Sequence, residues 1–507
     1  MTSFTAISSR DDLWQQISKA CQQNPSTPLI VDSASHASVS SRETVLKGGE
    51  QLAAYLQTLG IGTGDVIAVQ LPSWLEWAYC AVAAIRLNAT ILPIWTAYGT
   101  KELSHILVDS DAKIFVSPSQ WNGINFEQRF KNTLSTAHHI NTDTIEKVLS
   151  EPAVTEVNEH LLTNQTTDIA LLIYTSGTTS KPKGVCHSAA SLIAEISQLD
   201  NNGGARLCPW PLGHIAGALE IYRFLLGWPL LVLMEQWHAE QAARLIAKHH
   251  IVSTSGTPYH LSTLLDASQT FGIDITSLSD YMVGAAPVPP TLIERCETLG
   301  IHTYRCYGST EHPTVSSGSP NDPLDKRLNT DGRLLDGVEI RILDDNDNIL
   351  PIGQTGEIVT RGPDRAIGYL QQHLNSEAFI DDWYRSGDIG SIDAEGYLKI
   401  VDRKKDIIIR GGSNISSREI EECLLRHPDI LDAAAIAAPH PTLGEIVCAV
   451  IVVSPNASIS IETLIAFFAA ENMAKFKTPE RLEFVSALPR NTAGKVLKNE
   501  LRTLITG

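Results

Sequence analysis

Residues 174–185 read YTSGTTSKPKGV, and the four residues in front of them, Ala170 to Ile173, are apolar in the manner of a buried strand. Two glycines, a run of Ser and Thr hydroxyls, and two lysines flanking Pro182 follow that strand. A Gly-rich turn presents backbone N–H groups and hydroxyls add further donors, which is what an anionic polyphosphate requires. A lysine contributes a compact point charge at the rim. The P-loop needs a glycine directly before its lysine, a Ser or Thr directly after it, and a helix beginning there. Lys183 instead follows Pro182 and precedes Gly184, which rules that geometry out. An ordinary surface turn uses the same residue types. The density of hydroxyls directly behind a buried strand favours phosphate.

The chain has 507 residues, too many for one compact core, and implies roughly two to four domains. With 43% hydrophobic and 19% charged residues it has the composition of an ordinary globular protein. A formal charge of −18 argues against nucleic acid or an anionic membrane surface as partner. It leaves a nucleotide open, because a local basic cluster with magnesium can hold phosphate in an acidic protein. The eight cysteines are scattered with no close pair, which suits buried, reduced thiols rather than a zinc site or a disulfide framework. The N-terminus lacks an apolar signal core, and the most apolar stretch, FLLGWPLLVLM from Phe224, is too short to span a bilayer. The expectation is a cytoplasmic protein that is not integral to a membrane. A homodimer is left open.

Strand and helix patterns alternate through the first third. PLIVD, DVIAVQL, ATILPI and AKIFVSP read as strands, separated by helices, which implies a largely parallel, helix-covered sheet. Ser40 with Glu43, and Ser73 with Glu76, are spaced as capping boxes, and Gly60 stops the first of these helices. From Asp336 to Thr360 the pattern becomes strands joined by Asp/Asn/Gly turns, a small antiparallel sheet. After DRKKD it changes again, to a compact α+β unit of about a hundred residues.

Together with the opening loop, PLGHIAG around His214, VGAAPVPP around Gly284, YGSTE from Tyr307, WYRSGDIG around Asp388, DRKKDIIIRGGSNIS from Asp402 and PRNTAGKVLK around Lys495 resemble one family, in family order. It is that of the adenylate-forming acyl-CoA synthetases, which share a fold with luciferases and peptide-synthetase adenylation domains. The resemblance implies an α/β fold. Residues 1–404 would form a large N-terminal domain of helix-covered, mostly parallel sheets plus a small antiparallel sheet. Residues 405–507 would form a smaller, mobile α+β domain.

It also implies roles. Thr175, Ser176, Gly177, Thr178, Thr179 and Lys183 would hold the β- and γ-phosphates of ATP, although Ser180 stands where a glycine is usual. Gly284, Ala285, Ala286 and Pro287 would lie beside adenine, with Tyr307 stacking on it and Gly308 also in the ATP site. Asp388 would accept from the ribose hydroxyls, with Arg403 on the same side. Thr310 would meet the α-phosphate, Glu311 would bind Mg²⁺, and Lys495 would bridge carboxylate and phosphate oxygens. His214 would gate the passage between acyl site and CoA channel. Gly411 and Gly412 would let backbone lie against the pantetheine arm of coenzyme A. Ile215, Gly217 and Val283 would line the acyl pocket, and Lys405 would be the hinge.

The expected reaction activates a carboxylate with ATP, releases pyrophosphate, and transfers the acyl group to coenzyme A. The mostly small or apolar pocket segments fit a fatty or alicyclic acid. An amino acid is disfavoured because IAGALEIY, after His214, has no early aspartate for an ammonium group, and Glu220 lies far along. Loading of a carrier protein is the alternative acceptor chemistry. A non-catalytic binding relative is disfavoured, because Lys495, Glu311 and the Gly-rich loop are all present.

Overall fold

The computed structural model describes residues 10–151, 156–162, 169–175, 182–199, 203–455, 457–490 and 496–506. Among them, two large sheets carry the first two-thirds of the chain. The nine-stranded sheet runs parallel through its centre, from His302–Tyr307 across Asp280–Val283, Ser253–Gly256, Arg206–Cys208 and Leu231–Met234 to Pro28–Asp32, and is antiparallel only at its ends. The seven-stranded sheet is parallel from Leu171–Thr175 to His138–Asn141, with Lys183–His187 and Gly368–Tyr369 added antiparallel. Strands covered on both faces favour apolar residues, and Leu231–Met234 and Thr90–Pro93 are buried throughout, the one hydroxyl, on Thr90, donating to the Ile169 carbonyl at 2.6 Å. The helix Leu75–Arg86 is buried from Trp77 to Ile85 and belongs to the main core.

Two smaller sheets follow. Glu339–Leu343, Gly356–Arg361, Trp383–Ile392, Phe379–Ile380 and Leu398–Arg403 form the antiparallel one. The last sheet contains Ile408–Arg410, Ser413–Ile415, Ile430–His440, Gly444–Val453 and Arg481–Phe484. Its longest pair, Ile430–His440 with Gly444–Val453, obeys the two-residue period of a covered sheet. Ala435, Val447 and Ala449 face one cluster with Phe468, while Ala434, Ile436 and Cys448 face another with Leu501. A single turn, Lys404–Asp406, joins the two small sheets.

Both expected capping boxes are corrected. Ser40 pairs with Leu29 inside the edge strand, so the helix Arg42–Thr58 starts one residue later and is capped by Ser41, whose hydroxyl accepts from the Thr44 N–H at 3.1 Å. The helix at Leu75 begins from Trp74 without a side-chain cap; that residue is anchored by its buried indole, which donates to Glu235 at 2.6 Å. Gly60 does follow the first helix in a left-handed conformation, φ +85°. All eight cysteines are free thiols. Among the described residues, no helix is long and apolar enough to cross a membrane.

Candidate active site

The strands ending at Thr175, Gly256, Val283 and Tyr307 open at their carboxyl ends on one cavity of about 1710 Å³, the usual place for a ligand in an α/β sheet. Asp388 and Arg403 are direct partners across antiparallel strands, which brings the Arg403 Nε–H to 3.2 Å from Asp388 Oδ1. The Tyr307 hydroxyl donates to the other oxygen, Oδ2, at 2.7 Å. Burial and the Asp388 charge together push that phenol well above its ordinary pKa, so it remains a donor. A carboxylate has about four lone-pair sites, so two remain after these contacts.

Glu311 is organised differently. Its Oε1 accepts from the Tyr369 hydroxyl at 2.6 Å, and its carbonyl accepts from Ala366 N–H at 2.8 Å. Lys183 starts a strand rather than a helix, and its ammonium lies 5.4 Å from the Tyr369 ring centroid. Thr310, next to Glu311, is held from behind: the fully buried His187 donates from Nε2 to the Thr310 carbonyl at 2.8 Å. Burial lowers the His187 pKa to about 4, so the ring is neutral at pH 7.

His214 caps the helix Ile215–Leu225, with Nδ1 accepting from the Ala216 N–H at 3.2 Å and the ring stacked on Trp210 at 5.4 Å. It lines the cavity, as do Ile215, Ala216, Leu219, Gly284, Ala285, Ala286, Pro287 and Gly308. Ala285 holds φ +62°, a strained conformation for a residue with a Cβ, at the wall of the site.

Two expected pocket residues stand elsewhere. Val283 is fully buried in the core beneath the wall, because strand alternation gives the cavity its neighbour Met282. Gly217 turns toward Pro211, whose carbonyl oxygen would lie 2.2 Å from an added Cβ. Glu220 is committed to two buried arginines, Arg206 at 3.2 Å and Arg223 at 3.0 Å, so it offers no charge to an ammonium substrate.

Ser176, Gly177, Thr178, Thr179 and Lys495 lie outside the described residues. On either side of 491–495, Arg490 and Val496 both line the cavity. Arg490 pairs with Asp432 at 2.7 Å and lies 6.0 Å from the ring of Tyr259, on the opposite wall. Lys498 is held by Glu421 at 2.7 Å and by Ser417 at 2.6 Å. Gly411 and Gly412 are exposed and do not line the cavity; they hold φ +54° and +85° in the hairpin between Ile408–Arg410 and Ser413–Ile415. Lys405 lines the cavity; burial, and then the Arg403 charge, lower its pKa.

Magnesium dehydrates reluctantly and often uses one or two carboxylates together with substrate phosphates. Among the described residues no group of three or more His, Cys, Asp or Glu could hold an ion. Glu311, which lines the same cavity as Lys183, fits a metal that arrives with a nucleotide.

Residues 17–370 match the AMP-binding enzyme family and residues 419–495 the AMP-binding enzyme C-terminal domain. The chain is 33% identical to the medium-chain fatty-acid–CoA ligase of Escherichia coli (strain K12), over 97% of this chain and 89% of that protein. The o-succinylbenzoate CoA synthetase of Bacillus subtilis, solved with its acyl-adenylate intermediate, superposes with a TM-score of 0.83 at 25% identity, covering 96% of this chain and 97% of that one. The same enzyme solved with ATP and magnesium ion gives 0.83 at 26%, covering 96% and 98%. The chain belongs to the AMP-binding enzyme family, as an ATP-dependent, AMP-forming acyl-CoA synthetase.

Proposed function

We propose that the carboxylate is an apolar one, fatty or alicyclic, and that the residues gathered at the cavity divide the two half-reactions between them. The observation that carries this reading is the meeting at one cavity of Lys183, Glu311 and Asp388 with Arg490 and Val496, which bracket Lys495 in sequence. A carboxylate is a poor electrophile, and two anions must approach during in-line displacement of pyrophosphate. Lys183 and the 175–179 loop bind the outer phosphates. Glu311 and Mg²⁺ act together there, and the metal when bound neutralises charge developing on phosphate oxygens. Thr310 donates to the α-phosphate, Asp388 accepts from the ribose hydroxyls, and Tyr307, fixed through its hydroxyl, stacks on adenine. Lys495 bridges the two reacting anions.

The acyl group runs past His214, Ile215 and Leu219. The enzyme named for medium-chain fatty acids, at 33% identity, favours an aliphatic acid. Coenzyme A is the acceptor, entering by way of Gly411 and Gly412. Those glycines do not line the cavity while Arg490 and Val496 do, which favours a second arrangement of residues 405–507 relative to 1–404, reached by rotation at Lys405. The compartment is the cytoplasm, a reading supported by eight free thiols. The test is acid-dependent exchange of labelled pyrophosphate into ATP without coenzyme A. Fatty and alicyclic acids are expected to drive exchange; exchange driven by amino acids alone would overturn the substrate class.

A further inference from the structure

The bend that carries Thr310 and Glu311 to the cavity wall is tied twice at its base. Ser309 N–H donates to the His312 carbonyl at 2.8 Å, and His312 N–H donates to the Ser309 hydroxyl at 3.2 Å. Thr310 and Glu311 are the two residues between, and both line the cavity. The His312 side chain does not line it and is fully buried. Its Nε2–H donates to Asp364 Oδ1 at 3.1 Å, and its Nδ1 lies 2.8 Å from the Thr360 hydroxyl. Thr360 and Asp364 are fully buried as well.

Stability alone does not account for this pair. Asp364 Oδ2 is buried and has no hydrogen-bond partner among the described residues, a cost that two apolar side chains of similar volume would avoid. The chain around the bend also has other anchors. His187 holds the Thr310 carbonyl, and the Thr314 hydroxyl donates to the buried Glu195 Oε1 at 2.8 Å. What the pair adds is direction: with both ring nitrogens engaged the ring is fixed, and the same residue's N–H and carbonyl form the base of the bend. Packing leaves it no slack, since a Cβ added at Gly362 would lie 2.9 Å from His312 Nε2 and 3.1 Å from Asp364 Oδ1. The segment that supplies Asp364 continues to Ala366 and Tyr369, which hold the Glu311 carbonyl and carboxylate.

We infer that His312, held by Asp364 and Thr360, is a positioning residue for the adenylate-forming step, setting the bend from which Thr310 meets the α-phosphate and Glu311 meets the metal that arrives with the nucleotide. This rests on the acyl-CoA synthetase reading and extends it to residues outside the cavity. Orientation carries the effect. Nε2–H donates to Asp364 whether or not the ring is charged, and the Thr360 hydroxyl can donate to Nδ1 or accept from it. A misplacement of about 1 Å in a group that positions reacting atoms can cost about a hundredfold in rate. Turning a ligating carboxylate weakens its metal by about tenfold or more. None of these hydrogen bonds reaches the helix Ile215–Leu225, whose Ile215 and Leu219 line the acyl wall, so binding of the acid is spared.

The experiment compares the full-length wild type with a double variant, His312→Phe with Asp364→Leu, and with the single variants Asp364→Asn and Thr360→Val. Each is measured in acid-dependent pyrophosphate exchange, in calorimetric titrations of ATP at varied Mg²⁺ without any acid, and in thermal melting. The double variant removes both partners and so leaves no buried charge unpaired. It is expected to melt within a few degrees of wild type, with kcat for exchange at least about tenfold lower and the KM for the acid within about twofold. The Mg²⁺ concentration that gives half of its full effect on ATP binding rises about tenfold. Asp364→Asn, whose amide oxygen still accepts from Nε2–H, keeps most of the wild-type kcat. Thr360→Val, which keeps the shape and touches no charge, loses about threefold and carries the test if the double variant does not fold. Wild-type kcat and Mg²⁺ dependence in the folded double variant, or in Thr360→Val, overturn the inference. So does a loss in Asp364→Asn as large as that of the double variant, which would make charge the cause, or a fall in kcat matched by a rise in the KM for the acid. Absence of exchange by the wild type with every acid overturns the synthetase reading instead.

Discussion

Tyr307 donates its hydroxyl hydrogen to Asp388 Oδ2 at 2.7 Å, while Arg403 holds the other oxygen at 3.2 Å. The group assigned to the ribose thus also fixes the ring assigned to adenine, so base and sugar recognition are coupled through one carboxylate. Asp388→Ala removes both and should raise the KM for ATP by an amount corresponding to about 2–4 kcal/mol. Tyr307→Phe keeps the ring and should cost about 1 kcal/mol. ATP titrations with melting temperatures recorded alongside check both. An unchanged KM in a folded Asp388→Ala would reduce that residue to a strand position.

The contact between Tyr369 and Glu311 supports a metal-dependent prediction. Groups that orient a ligating carboxylate change metal affinity when removed. Tyr369→Phe should raise the Mg²⁺ concentration needed for half-maximal exchange by about tenfold, at saturating ATP. If the Mg²⁺ dependence is unaltered, Tyr369 only packs beneath Lys183.

Stability should fall on mild acidification. His187 and His260 are buried and each has its pKa lowered to about 4, chiefly by burial. The unfolded chain takes up a proton at each near pH 6.5, whereas the folded one resists until about pH 4. Their contribution is fully present above pH 6.5 and is lost as pH falls from there toward 4, by a few kcal/mol in order of magnitude for each. Melting temperatures from pH 7.5 to 5 should decline more steeply for wild type than for His187→Gln, whose amide can still donate to Thr310. Parallel slopes would contradict this.

Separation of the half-reactions tests the proposed rotation. Lys495→Ala should abolish exchange, yet still convert supplied acyl-adenylate to acyl-CoA. Lys405→Pro, which fixes φ, should keep exchange and lose thioester formation by tenfold or more, on the order of 1.4 kcal/mol at least. Wild-type rates for both steps in Lys405→Pro would move the hinge elsewhere.

Legibility in the sequence followed physical locality. YTSGTTSKPKGV announced the strand before it, Leu171–Thr175, because a buried run and a Gly-rich turn are local signals, whereas the strand that Lys183 opens carried no such signal. Tyr307, Glu311 and Asp388, which line one cavity, could be singled out because each sits in a compact motif. Tyr369, His187 and Glu195 have no motif: they meet Glu311, Thr310 and Thr314 across 58, 123 and 119 residues, and only the fold makes those pairs. Val283 was assigned to the pocket wall for want of the strand's facing, which a one-residue shift inverts. The same one-residue sensitivity moved the helix cap from Ser40 to Ser41.

The central claim is that the carboxylate attacks the α-phosphate of ATP, and isotope tracing follows that bond directly. When the carboxylate oxygen displaces pyrophosphate it becomes the bridge of the mixed anhydride; when the thiol of coenzyme A takes the acyl group, that oxygen leaves on AMP. A substrate acid labelled with heavy oxygen in its carboxylate should therefore yield AMP carrying one labelled oxygen, with unlabelled pyrophosphate and one equivalent of acyl-CoA. Label in inorganic phosphate, with ADP as the nucleotide product, would mean attack on the terminal phosphate and would contradict the account.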